Sequence, residues 1–137
     1  MFEKVEIERF RGIRNASIQG FRRINLFFGK NNCGKSSLLE ALFLASGGAN
    51  PMLPVNVNFM RGYGKSRLND LNLEFYNLDS EQPIHIKLMD GYVRDLNISL
   101  FEKRQNSISL NADGANILSN VEEGRYGLKF DFKVNDQ

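Results

Sequence analysis

The stretch Gly29-Lys30-Asn31-Asn32-Cys33-Gly34-Lys35-Ser36 narrows the folds open to this chain more than any other. It has the form G-x-x-x-x-G-K-S, a phosphate-binding loop that works between an incoming strand and an outgoing helix. Both flanks comply. Arg23-Ile24-Asn25-Leu26-Phe27-Phe28 reads as a short buried strand, and Ser37-Leu38-Leu39-Glu40-Ala41-Leu42-Phe43-Leu44-Ala45 reads as a helix. The expected fold class is therefore α/β, of the P-loop NTPase kind.

The chemistry follows from the geometry. Phosphate oxygens need several donors converging on a small volume. Backbone N–H groups in a tight loop supply them, and the first turn of the next helix adds its unpaired N–H groups and positive dipole end. The candidate cradle is Gly29, Asn31, Asn32, Cys33 and Gly34, with Ser37 following in the helix. Lys35 is expected to reach the β- and γ-phosphates, and Ser36 to place its hydroxyl on Mg²⁺. The thiol of Cys33 would lie close to bound phosphates, where a small side chain is tolerated.

Composition bounds the rest. A chain of 137 residues with 42% apolar and 25% charged residues suits one globular unit. It has no transmembrane run, and Met-Phe-Glu-Lys-Val-Glu is too charged to open a signal peptide. One cysteine makes no internal disulfide, so the cytoplasm is the expected compartment. Charge is uneven. Residues 1–70 carry 11 basic and 5 acidic groups, and residues 71–137 carry 7 and 11. A basic half around the loop suits a triphosphate and could also help hold a nucleic-acid backbone.

Three stretches are expected within this single lobe. Residues 1–48 form the P-loop part. Val5 and Ile7 alternate with Glu6 and Glu8 in a first strand, residues 10–15 turn the chain on Gly12, and residues 16–20 return antiparallel. The helix after the loop is apolar nearly all round, as if buried on most sides. Leu44-Ala45-Ser46-Gly47-Gly48 ends it as a glycine cap. Residues 49–82 read as an irregular stretch through Pro51 and Pro54, a long loop over 55–67 and a helix over 67–78. Residues 83–137 read as an antiparallel meander of about five strands, with Asp90-Gly91 and Asp113-Gly114 as hairpin turns.

Hydrolysis also needs an acidic residue on Mg²⁺ and a group orienting water. Its usual source is four apolar residues ending in Asp-Glu. The nearest approach, Ile86-Lys87-Leu88-Met89-Asp90, contains a lysine and runs into Gly91, so no catalytic residue is assigned in this chain. The expectation is an N-terminal piece of a longer protein, or one half of a split one.

Phe10-Arg11-Gly12-Ile13, followed by Ile24-Asn25-Leu26-Phe27-Phe28 and the loop running into Ser37-Leu38-Leu39-Glu40-Ala41-Leu42, resembles the amino terminus of the SMC/RecF/OLD group of ABC-type ATPases, and within it the bacterial AAA-family ATP-binding proteins. Arg9 stands where that pattern commonly has Asn, and Cys33 where it has Ser, Ala or Gly. The resemblance covers residues 2–48. It implies the first lobe of an ABC-type ATPase head, ATP as the nucleotide, and Arg11 near its phosphates or base. It implies hydrolysis in a head-to-head homodimer, with the remaining catalytic elements on a C-terminal lobe. It also implies work linked to DNA, in repair, chromosome maintenance or phage defence; with no transmembrane run, no membrane partner is expected. Gln82 and Gln105 are the candidates for the group's glutamine-bearing loop.

Other residues carry less. His85 stands alone and reads as structural. Arg61, Tyr63, Lys65 and Arg67 could touch DNA or a partner from a solvated loop. The alternative for the whole chain is a non-catalytic DNA- or protein-interaction module with a structural nucleotide site.

Overall fold

The computed structural model describes residues 1–48, 50, 52–62, 71–102, 116–118 and 126–136. Its frame is one six-stranded antiparallel sheet in the order β2-β1-β3-β4-β6-β5. The strands are β1 (Lys4–Phe10), β2 (Ile13–Gln19), β3 (Ile84–Met89), β4 (Tyr92–Glu102), β5 (Asn116–Leu118) and β6 (Tyr126–Asp136). The first strand thus lies between its hairpin partner and a strand some 75 residues later, with Ile7 opposite Ala16 on one side and Ile86 on the other. Residues from both ends of the chain share one sheet.

Period-two alternation decides which face is buried. Val5, Ile7, Ile84, Ile86, Leu88, Leu96, Ile98, Leu128 and Phe130 point to one side and are buried. Burying each such aliphatic side chain contributes about 1.5–3 kcal/mol. The opposite face carries Glu6, His85, Lys87, Asp95, Asn97, Lys129 and Asp131. There His85 Nε2 sits 2.8 Å from Asp95 Oδ1, which agrees with a structural role for that histidine.

Helix α1 (Lys35–Ser46) covers the apolar face with Leu38, Ala41, Leu42, Leu44 and Ala45. It is not buried all round. Leu39 and Phe43, four residues apart and so on one side of the helix, are about half exposed. Gly47 ends the helix as a glycine cap, its N–H donating to the Phe43 carbonyl at 3.0 Å. A Cβ on Gly47 would fall 1.9 Å from Leu53 Cδ1, so a larger residue there would make the Leu53 side chain shift.

That next element corrects the sequence reading. Residues 52–60, expected as irregular chain and loop, form helix α2 (Met52–Met60). Asn50 starts it, its side-chain oxygen accepting the Met52 N–H at 3.0 Å. Pro54 lies in the first turn, where its missing N–H would have no intrahelical partner anyway. The helix expected over 67–78 is also corrected, as far as described residues reach. Leu71 and Phe75 are buried as the spacing suggested. The backbone, however, makes two short 3₁₀ turns, Asn72–Glu74 and Tyr76–Leu78, with Phe75 extended between them (φ −87, ψ 145).

Two local surprises sit on β1 and its turn. The left-handed torsion falls on Arg11 (φ 50), not on Gly12, and Arg9 is left-handed too (φ 61). The twist at Arg9 interrupts the alternation. Phe10 turns inward, is fully buried, and bridges Phe75. The Asp90-Gly91 hairpin between β3 and β4 forms as expected, with Gly91 at φ 91. The expected strand at Ile108–Leu110 and the Asp113-Gly114 turn lie outside the described residues.

The largest correction concerns residues 23–28. Expected as a buried strand, they run irregularly and pair with no strand among the described residues. Ile24, Leu26 and Phe28 are 88%, 82% and 88% exposed, while Phe27 packs on the core. A strand of the nucleotide sheet needs neighbours that pair with both of its edges, and among the described residues the antiparallel sheet supplies neither.

Candidate phosphate-binding site

The loop closes on α1 through two left-handed residues, Asn32 (φ 63) and Gly34 (φ 91). Gly34 caps the helix, and a side chain there would strain the backbone. Its carbonyl accepts the Leu38 N–H at 2.9 Å. Gly29 is constrained differently, since a Cβ on it would stand 2.9 Å from Cys33 Sγ. Helix α1 has no acidic residue in its first turn and no side-chain cap. Its first N–H groups therefore keep their donors for an anion rather than for the chain itself.

Lys35 Nζ bends back over the loop. It donates to the carbonyls of Gly29 at 2.9 Å and Lys30 at 2.6 Å, and lies 3.5 Å from Cys33 Sγ. An incoming phosphate has to compete with two carbonyls, which a doubly charged oxygen cluster does readily. Ser36 is exposed beside it, and Ser37 is buried under the helix start.

A cavity of about 550 Å³ opens from this loop. It is lined by Asn31 to Ser37 of the loop and the start of α1, by Arg11 and Gly12 of the β1–β2 turn, by Arg61 after α2, and by Leu73, Phe75, Asn77 and Leu78. The candidate nucleotide-binding residues of the loop and Arg11 meet here, Gly29 through its contact with Lys35. His85 stands apart on the polar face of the sheet. Gln82 is exposed in the turn before β3. Gln105, Tyr63, Lys65 and Arg67 lie outside the described residues.

Arg11 lines the cavity, but its guanidinium is already engaged. Nη2 donates to Asn58 Oδ1 and to Glu74 Oε1, both at 3.0 Å. Nε lies 3.0 Å from Glu40 Oε2, at an angle that makes an ion pair rather than a hydrogen bond. The cation also sits 5.4 Å over the Phe10 ring, and the Arg11 backbone N–H donates to the Glu74 carbonyl at 2.8 Å. Arg61, at the end of α2, clasps the same Glu40 with Nε at 2.6 Å and Nη2 at 2.9 Å. The loop helix is thereby tied through Glu40 to the β1–β2 turn and to α2. Glu74 is nearly wholly buried. Burial pushes its carboxyl above the usual range, and the Arg11 charge and the Asn58 amide work against that shift.

Sequence reasoning did not find this ionic cluster. Its one local signal was Glu40, a lone charge inside an apolar helix run. Its partners Arg61 and Arg11 lie 21 and 29 residues away and only folding brings them in. Nor did it find that Asn77 and Leu78 line the same cavity. Asn77 (φ 53) and Leu78 (φ 61) are successive non-glycine residues in the left-handed region, each costing roughly 1–2 kcal/mol.

A family model described as an AAA domain matches residues 4–135. An ATP/GTP phosphatase of Helicobacter pylori is 37% identical over 91 residues, covering 63% of this chain and 24% of that protein. The DNA replication and repair protein RecF of Shewanella frigidimarina is 29% identical over 115 residues, covering 83% of this chain and 27% of that protein. RecF of Ruminiclostridium cellulolyticum is 28% identical over 105 residues, covering 77% and 25%. The chain spans about a quarter of the length of each of these relatives. No solved structure matches it.

Proposed function

Because the chain belongs to the AAA domain family and resembles the amino-terminal part of SMC/RecF-like ABC-type ATPases, we propose that it binds ATP with Mg²⁺ and serves as the nucleotide-binding lobe of an ATPase. The observation that carries this reading is the loop itself. It is folded at the start of α1, its helix donors are left without a side-chain cap, and it opens into a cavity sized for a nucleotide. Backbone N–H groups from Asn32 to Ser36 would hold the phosphates, with Asn31 and Ser37 at the margins. Lys35 would exchange its carbonyl partners for β- and γ-phosphate oxygens. The Ser36 hydroxyl would bind Mg²⁺, which neutralises phosphate charge when present. Arg11, which lines the cavity, would hold the loop helix through Glu40 and add positive potential near the phosphates.

Hydrolysis is assigned to the whole protein rather than to these residues alone. The exposed Ile24, Leu26 and Phe28 support a further lobe adding strands beside the loop, followed by head-to-head pairing of two copies. The RecF names, which speak of DNA replication and repair, support DNA-linked work such as repair, and chromosome maintenance and defence against phage belong to the same reading. Such work would place the protein in the cytoplasm. Among the described residues no helix is long and apolar enough to cross a membrane.

Calorimetry with Mg²⁺-ATP and Mg²⁺-GTP on wild type and Lys35→Ala tests the reading. ATP binding that disappears in the variant is expected. Failure of wild type to bind either nucleotide would overturn it. Salt-dependent DNA affinity indifferent to Lys35→Ala would then favour the interaction-module alternative.

A further inference from the structure

Among the described residues, three cations line the cavity, Arg11, Lys35 and Arg61. Each is already matched to oxygens of the chain. Lys35 donates to two loop carbonyls, and the two arginines hold carboxylates. Glu40 is the carboxylate that both arginines share. Its Oε1 accepts from Arg61 Nε at 2.6 Å, while its Oε2 accepts from Arg61 Nη2 at 2.9 Å and lies 3.0 Å from Arg11 Nε. Glu74 pairs with Arg11 and lies deeper, its side chain 2% exposed against 16% for Glu40.

This clasp has two effects of opposite sign. It fastens α1 to the β1–β2 turn and to α2, which stabilises the fold. It also sets a negative charge near the phosphate loop. Glu40 follows Lys35 by five residues on the same helix, about 7.5 Å along its axis. With both carboxylates ionised, the two guanidinium charges are cancelled, and a polyphosphate at the start of α1 gains little from them.

We propose that Glu40 is a charge brake on the phosphate site: by neutralising Arg11 and Arg61 it holds down the affinity for polyphosphate, most of all for the ligand with the most phosphate charge. The proposal rests on the nucleotide reading above and adds what sets the strength of that site. A site that turns over has to let nucleotide go, and two unopposed guanidinium groups beside the loop would slow that release.

The test separates charge from scaffold. Affinities of the intact protein for Mg²⁺-ATP, Mg²⁺-ADP and AMP are measured by calorimetry at low and at physiological salt. Wild type, Glu40→Gln and Glu40→Asp are compared, with urea denaturation of each. Glutamine keeps the shape and removes the charge, whereas aspartate keeps the charge and shortens the reach. At low salt Glu40→Gln should bind Mg²⁺-ATP about threefold to tenfold tighter than wild type, Mg²⁺-ADP tighter by less, and AMP by less than about twofold. The gain should shrink as salt is raised. The urea midpoint of Glu40→Gln should nonetheless fall, because the clasp is weakened. Glu40→Asp should lose stability too, yet keep wild-type affinity. Tighter binding by a less stable protein is not what a loosened fold produces. Unchanged or weaker ATP binding in Glu40→Gln, with wild-type binding still abolished by Lys35→Ala, would overturn the brake and leave the phosphate site standing. Arg61→Gln gives a mirror test that does not depend on Glu40→Gln folding. Its ATP affinity should drop while its AMP affinity holds, and an ATP affinity equal to wild type would overturn the brake as well. Wild type binding none of the three ligands would remove both readings together.

Discussion

Ile86 and Leu26 carry the same sequence signal, an aliphatic residue in a short alternating apolar run. Ile86 is fully buried and Leu26 is 82% exposed. The first lies in β3, hydrogen-bonded on both edges and covered by α1. The second precedes the phosphate loop and pairs with no strand among the described residues. An apolar run shows that a segment needs a partner. It does not show that this chain supplies one. The antiparallel sheet is built from this chain's own strands, while the segment beside the loop leaves Ile24, Leu26 and Phe28 exposed.

Three substitutions would break or sharpen that contrast. The largest effect is expected in the core. Phe10→Ala leaves a cavity beneath Phe75 and should cost about 3–5 kcal/mol, read from urea denaturation at constant m-value. A cost under about 1 kcal/mol would mean that the turn out of β1 is not part of the core.

A middle effect is expected at Glu74, whose pH dependence has a definite sign. Its folded carboxyl titrates above the ordinary value of 4.5. The stability it contributes is therefore fully present below 4.5 and is lost as pH rises through the raised folded value. Glu74→Gln lacks this titration. The stability of wild type relative to Glu74→Gln should decline as pH climbs above 4.5, then level off. A difference that instead grows with pH would show that the Arg11 charge outweighs burial.

The smallest effect is expected outside the sheet. Leu26→Ser should change stability by no more than about 0.5 kcal/mol while making the protein less prone to associate, as light scattering would show. A loss comparable to that of Phe10→Ala would mean that Leu26 is packed in solution, and the contrast between the two regions would collapse.

Much of this was legible because the signals are local. The loop is eight contiguous residues with glycines at fixed offsets, and its helix follows at once. The alternation of β1, β3, β4 and β6 reads directly as a half-buried sheet, and Asp90-Gly91 marks its hairpin. Helix α2 was missed because Pro54 looks like a breaker unless its place in the first turn is known. The helix expected to end at Leu78 was misread beyond Leu71, which is helical: Leu71 and Phe75 do face the core, but between and after them the chain runs through 3₁₀ turns and an extended residue.

The sequence by itself determined the phosphate loop, the alternating strands and the α/β class, because each depends on backbone geometry and spacing within a few residues. Only the tertiary structure decided which apolar runs are covered, that Arg11 is clasped between Glu40 and Glu74, and that Asn77 and Leu78 line one cavity with the loop. Those outcomes depend on groups tens of residues apart meeting in a low-dielectric interior, where burial and pairing compete. No local pattern encodes which of them wins.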